Sequence, residues 1–239
     1  MASLPEPGSL GLKSRSAFRR LSKFRFSHMD FERAIWELGT LIVMPRKVYR
    51  NVYFQKQTKN KWARDDPAFP ILLCGLLVCS AISWSIVKNF PFIGVLGFCI
   101  KVLLRDFVLA ALCASSVIWL LTNIFMTSSG MTESKIEWAY AFDLHCNGFF
   151  AIYIWLYVLQ LFLLPLIIGP KWISLFLGNS LYLAAFLQYF YVVYLGLSVL
   201  PFLRRTNLFL VPLLPIVCTY ILSLAGYNFG QHVLETYFG

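Results

Sequence analysis

Five stretches of this chain are so long and so apolar that a lipid bilayer is the only solvent in which they are all at ease. A helix needs about 20 mostly apolar residues to cross a hydrocarbon core about 30 Å thick, because each residue adds about 1.5 Å of rise. Phe69 to Val87, Val102 to Met126, Phe149 to Ile168, Trp172 to Val199 and Leu208 to Gly226 each meet that requirement. Asp65, Asp66 and Pro67 stand before the first stretch and suit the cap and opening turn of a helix. The run Phe90 to Ile100 is too short to span alone and reads either as interfacial or as an extension of the second helix. Gly169-Pro170-Lys171 and Pro201 to Asn207 make tight connections, and Pro165, Pro212 and Pro215 are kinks that neighbouring helices can accommodate.

Charge is scarce and unevenly placed. Only 13% of residues are charged, against about 25% in a soluble domain, so the fold class is all-α, a polytopic membrane protein with about five transmembrane helices. The net charge is +10, and fourteen of the 21 Lys and Arg residues lie between Lys13 and Arg64, ahead of the first span. Residues 1–26 read as a disordered basic tip, in which Arg19, Arg20, Lys23 and Arg25 alternate with Phe18, Leu21, Phe24 and Phe26. The opening MASLPEPGSLGLKSRS has no apolar core, so the first span is expected to direct insertion. From Ser27, a candidate N-cap, Phe31, Ala34, Ile35, Leu38 and Ile42 recur at helical spacing as far as Pro45, predicting one amphipathic helix. That helix and a polar stretch form a cytosolic segment over 27–68, the spans occupy 69–226, and 227–239 is a tail. Placing the N-terminus in the cytosol puts seventeen Lys and Arg on that side and four at the other, which sends the C-terminus to the lumen.

Candidate sites follow from the polar residues. The basic arm suits anionic lipid head groups; RNA phosphates are an alternative partner, without an RNA-binding fold signature to support it. The stretch Glu133 to Asn147 gathers Glu137, Trp138, Asp143, His145 and Cys146. His145 and Cys146 could serve a hydrolase as base and nucleophile, but neighbours on a helix point about 100 degrees apart. Nor do Glu137, Asp143 and His145 have the spacing of a helical metal motif. Within the spans stand Lys101, Arg105, Asp106, Asn179 and Gln188, residues that mark function in a membrane by default. Lys101 and Arg105 can snorkel and Asp106 can pair with one of them; Asn179 and Gln188 can bond between helices. A small-solute pathway would call for more charge or for broken helices in repeated halves, and no repeat is seen. The six cysteines form neither a CxxC pair nor a disulfide framework and read as small apolar residues. No catalytic set, metal site or cofactor motif emerges.

Several strings resemble the Unc-fifty (uncoordinated fifty) family of Golgi membrane proteins. They are Met29-Asp30-Phe31-Glu32, Val48-Tyr49-Arg50-Asn51, Lys56-Gln57-Thr58-Lys59 and Trp62-Ala63-Arg64-Asp65-Asp66-Pro67-Ala68-Phe69. Glu137-Trp138-Ala139-Tyr140-Ala141-Phe142-Asp143 with His145 and Asn147, Gly178-Asn179, and Leu200-Pro201-Phe202-Leu203 complete the set. The resemblance runs from about Met29 to Asn228 and does not reach the first 25 residues. It implies a non-enzymatic five-span protein acting in vesicle trafficking in the Golgi and early secretory pathway, with the endoplasmic reticulum or nuclear inner membrane as a further location. It also implies large Arf guanine-nucleotide exchange factors and multi-subunit receptor cargo as partners. On this basis Arg46, Lys47, Tyr49, Arg50, Lys56, Lys59, Trp62, Arg64, Glu137, Trp138, Asp143 and His145 are expected on a cytosolic partner or lipid surface.

Overall fold

The structure, a computed structural model, describes residues 29–127 and 135–238. The basic tip, the candidate cap Ser27 and Glu133 lie outside the described residues. Among the described residues five helices are long and apolar enough to cross a membrane: α3 (Ala68–Val87), α4 (Phe92–Phe125), α5 (Trp138–Phe162), α6 (Trp172–Ser198) and α7 (Thr206–Ser223). Of the described residues, α1 (Phe31–Val43) and α2 (Pro45–Lys59) precede them and α8 (Phe229–Phe238) follows. From Phe31 onward the chain forms one unit. Alternation of the spans defines two ends: an arm face with α1, α2, the starts of α3, α5 and α7 and the ends of α4 and α6, and a far face with α8.

The run Phe90 to Ile100 proves to belong to the second span, because Pro91 is extended and starts a helix that continues through a π-helical segment, Val102–Leu109, to Phe125. The third span, expected from Phe149, begins eleven residues earlier at Trp138. Its polar opening is tolerated because Tyr140, Ala141 and every residue from Leu144 to Ala151 are buried among other helices rather than exposed to lipid. The segment after Gly226, expected as a tail, forms α8. Asn179 on α6 donates to Ser223 Oγ (2.8 Å) and the Tyr227 carbonyl (2.9 Å), and its Oδ1 accepts from the Phe229 and Gly230 amides at the start of α8.

The amphipathic spacing did foretell α1, which stops at Val43. Pro45 then starts α2 rather than merely ending a helix. Arg33 Nη2 donates to Gln55 Oε1 (2.7 Å) and Lys47 Nζ lies over the Trp36 ring (5.5 Å), so α1 and α2 run antiparallel as a hairpin with its apex at Val43, Met44 and Pro45. Asn60 takes the left-handed conformation (φ 54°) and ends α2, its amide donating to the Lys56 carbonyl.

Between helices in lipid there is little hydrophobic gain, so close packing and hydrogen bonds decide association. α6 is the central mast, and it meets α5 through glycines. A Cβ on Gly148 would come 2.7 Å from the Tyr189 ring, and one on Gly196 would come 2.1 Å from Leu144 Cδ2 and 2.6 Å from Tyr49 Cε1. Leu144 and Tyr49 are both fully buried and cannot give way. Gly196→Ala is therefore expected to destabilise the fold by about 1–3 kcal/mol, read as a lower midpoint of thermal unfolding in detergent. Gly97→Ala, with nothing within 4 Å of its new methyl group, is the control expected to show no loss.

Candidate functional site at the arm face

The connection from α2 to α3 carries a cation into the protein. Arg64 exposes 13% of its side chain, and Glu37, which faces it from α1, exposes 8%. The guanidinium Nη2 lies 2.9 Å from Glu37 Oε2 and donates to Asn147 Oδ1 at 2.7 Å, while Nη1 stands 4.0 Å from Asp143 Oδ1. The Arg64 backbone amide donates to Asp143 Oδ2 (2.7 Å), and the guanidinium stacks on the Phe69 ring with Cζ 4.2 Å from its centroid. Glu37 Oε1 also takes Arg33 Nε at 3.0 Å. Burial opposes the charge on Arg64, but the carboxylates of Asp143 and Glu37 outweigh it and hold the guanidinium pKa above its usual value.

Around this ion cluster Asn147 Nδ2 donates to Tyr49 Oη (3.3 Å), and Tyr140 Oη donates to the Gly196 carbonyl (2.8 Å). The Tyr49 phenol is pushed upward in pKa by burial. Trp62 packs between Tyr140 and Phe202, with Lys56 Nζ 5.6 Å above its ring. His145 Nδ1 is hydrogen-bonded to Tyr189 Oη at 2.9 Å, and Cys146 is buried beside it. Asp66 Oδ1 accepts from the Ala68 amide and opens α3 as a cap residue does.

Tyr49, Arg64, Asp143 and His145, expected on a surface, are turned inward. They are polar on an otherwise apolar body, yet partners from remote parts of the chain meet them inside, and only Arg64 Nη1 and His145 Nε2 among their buried polar atoms lack a hydrogen bond. Arg46, Lys47, Arg50, Glu137 and Trp138 are exposed and Lys56 and Trp62 half-buried. Lys59 closes α2, and its side chain lies outside the described part of the structure. The indole of Trp138 donates to Ser116 Oγ (3.2 Å) and stacks on Phe142.

The intramembrane polar residues also have internal partners. Arg105 Nε meets Asp106 Oδ1 at 2.6 Å, and Asp106 Oδ2 accepts from Tyr157 Oη (3.2 Å) and from Tyr237 Oη on α8. Lys101 Nζ donates to the Tyr237 carbonyl. Gln188 accepts from Trp155 Nε1 (2.6 Å) and Asn179 clasps α8 as described. These bonds join helix to helix.

The sequence reading passed over Glu37, although a carboxylate in the stripe Ala34, Glu37, Leu38, Leu41 was a signal that something buried would answer it. It also missed Gly196 as the seat of Tyr49. Two of the strings that carried the resemblance, around Arg64 and around Asp143, meet each other here.

A sequence profile described as the UNC-50 family matches residues 17–238. The chain belongs to the UNC-50 family. A GMH1 homolog of Schizosaccharomyces pombe is 38% identical over 233 residues, covering 94% of this chain and 97% of that protein. The human unc-50 homolog is 39% identical over 229 residues, covering 95% and 88%, and the Dictyostelium discoideum unc-50 homolog is 38% identical over 227, covering 93% and 86%. No solved structure matches.

The ion cluster makes a direct claim on the stability of the chain. Arg64→Met removes the cation and leaves two buried carboxylates without it, an expected cost of about 3–5 kcal/mol. Adding Glu37→Gln and Asp143→Asn to that variant is expected to restore most of the loss. Thermal unfolding in detergent checks both, and a cost below about 1 kcal/mol for the single variant would contradict the role given to Arg64.

Proposed function

We propose that the chain acts in vesicle-mediated protein trafficking at membranes of the Golgi and early secretory pathway. In this reading the arm face lies in the cytosol and is a docking surface for a large Arf guanine-nucleotide exchange factor, with delivery of multi-subunit receptors to the cell surface as the outcome. Membership of the UNC-50 family and the bias of Lys and Arg toward the arm support this reading.

The observation that carries it is the Arg64 joint. Because α1, α2 and the loop to α3 are bonded to α5, the arm face is a surface of fixed shape rather than a tether, and fixed shape lowers the ordering cost of binding a partner. Around the end of α2 the cations on that surface include Lys56, Lys61, Arg204 and Arg205, whereas Arg46, Lys47 and Arg50 stand at the start of α2. Lys61 is 3.7 Å from Asp65, and the Arg204 amide bonds back to the Met126 carbonyl, which joins the end of α4 to the connection before α7.

Lys61→Glu, Arg204→Glu and Arg205→Glu together alter exposed residues only. They are expected to reduce recruitment of the exchange factor to membranes by at least about tenfold, the equivalent of about 1.4 kcal/mol, while the protein remains folded and correctly inserted. Unchanged recruitment and unchanged receptor delivery would remove this surface from the account.

A further inference from the structure

The apex of the α1–α2 hairpin is built unlike the rest of the arm. Ile42, Val43 and Met44 are 49%, 73% and 59% exposed, so three consecutive apolar side chains stand free at the turn. Immediately after them come Arg46, Lys47 and Arg50. A recess of about 480 Å3 lies here, lined by Val43, Met44, Pro45, these three cations and Tyr191 of α6. Arg46 Nε donates to Tyr191 Oη at 3.1 Å, which fixes one cation at the rim. Among the described residues no carboxylate lines the recess, and none of its three cations has an ion-pair partner.

Beside the same hairpin is a second, more enclosed chamber of about 240 Å3, lined by Leu41 and Ile42 from α1 and walled mainly by Phe150, Ile154, Leu159 and Val192. Its polar side chains are Asn147 and Gln188, and each of these is already hydrogen-bonded to protein. The linings of the two spaces are neighbours along the chain, Ile42 beside Val43 and Val192 beside Tyr191.

Depth orders them as a lipid is ordered. α6 has 27 residues, a length of about 40 Å against a hydrocarbon core of about 30 Å. Tyr191 lies seven residues from its arm-face end at Ser198, or about 10 Å inward, and Gln188 about 15 Å inward. The cationic recess therefore sits nearer the arm-side boundary of the hydrocarbon core, within reach of a head group for long cationic side chains, and the apolar chamber sits deeper in the acyl region.

We propose that the hairpin apex binds one anionic diacyl phospholipid from the surrounding leaflet, its head group among Arg46, Lys47 and Arg50 and one acyl chain in the chamber beyond Ile42. Charge complementarity selects the head group, and the adjoining apolar chamber selects a lipid over a free anion. The hairpin thereby becomes a lipid-dependent part of the fold. This site is separate from the proposed docking surface and stands whether or not an exchange factor binds there.

Delipidated full-length protein in detergent is titrated with phosphatidylserine, with phosphatidylcholine of the same chains and with inorganic phosphate, and bound lipid is counted by native mass spectrometry. Phosphatidylserine is expected to be retained, phosphatidylcholine to bind much more weakly and phosphate to leave its binding unchanged. Arg46→Gln with Arg50→Gln is expected to weaken phosphatidylserine binding by about tenfold, whereas the charge-matched Lys135→Gln with Lys171→Gln changes it less than about twofold. Equal losses in the two pairs, equal binding of the two lipids, or displacement by phosphate alone would each overturn the site. A phosphatidylserine with a photoactivatable acyl chain reads the wild-type protein independently of any variant. Adducts are expected at Phe150, Ile154 or Leu159, and adducts spread evenly over lipid-facing positions such as Ile86 and Leu222 would contradict the proposal.

Discussion

A guanidinium shared by the carboxylates of Glu37 and Asp143 turns the N-terminal arm of this UNC-50 protein into part of its membrane domain. Arg64 is positioned by its own backbone, whose amide is fixed to Asp143, and by the Phe69 ring beneath it. A buried ion pair adds little net stability over an apolar replacement, since both partners must leave water. What it supplies is a set of matched partners, since Arg64 meets Glu37 and Asp143 together only where α1, the α2–α3 loop and α5 converge. Tyr49 seated on Gly196 then extends the same joint to α6. The arm face inherits its shape from these contacts, and the functional reading rests on that shape.

At the far face a second polar joint does comparable work. Asp106, in the π-helical part of α4, accepts from tyrosines on α5 and α8, and Lys101 reaches the end of α8. Asn179 holds the start of α8 at the point where Gly178 and Gly230 let the backbones approach. The bundle is thus closed at both ends by hydrogen-bonded groups, while its middle combines packing of small and apolar residues with single hydrogen bonds such as Ser80 to Tyr153 and Trp155 to Gln188. That division suits a protein in lipid, where unpaired polar groups are costly and apolar contacts discriminate weakly between neighbours.

The spans were legible because bilayer solvation leaves a long apolar record in the chain, and the amphipathic spacing of Phe31 to Ile42 gave α1 with its turn at Pro45. The same test misplaced the start of α5, since hydropathy treats Trp138 to Gly148 as aqueous while tertiary burial keeps it in the bundle. α8 was not legible in a short mixed sequence whose order depends on Asn179, some fifty residues away. The candidate site shows the same limit. Residue type announces that Arg64, Asp143 and Tyr49 are polar, but only long-range pairing determines that they face one another instead of a partner. Glu37 was the exception, a charge in the buried stripe of a helix.

Hydrogen exchange of the full-length wild-type protein in lipid nanodiscs tests the central claim most directly. An isolated helix as short as α2 is marginal in water and exchanges rapidly. If the Arg64 joint integrates the arm, amides from Val48 to Phe54 are expected to be protected to a degree comparable with those from Leu144 to Ala151 on α5. Rapid exchange along α2 alongside slow exchange in α5 would show the arm to be a tether, and the account built on its fixed shape would be contradicted.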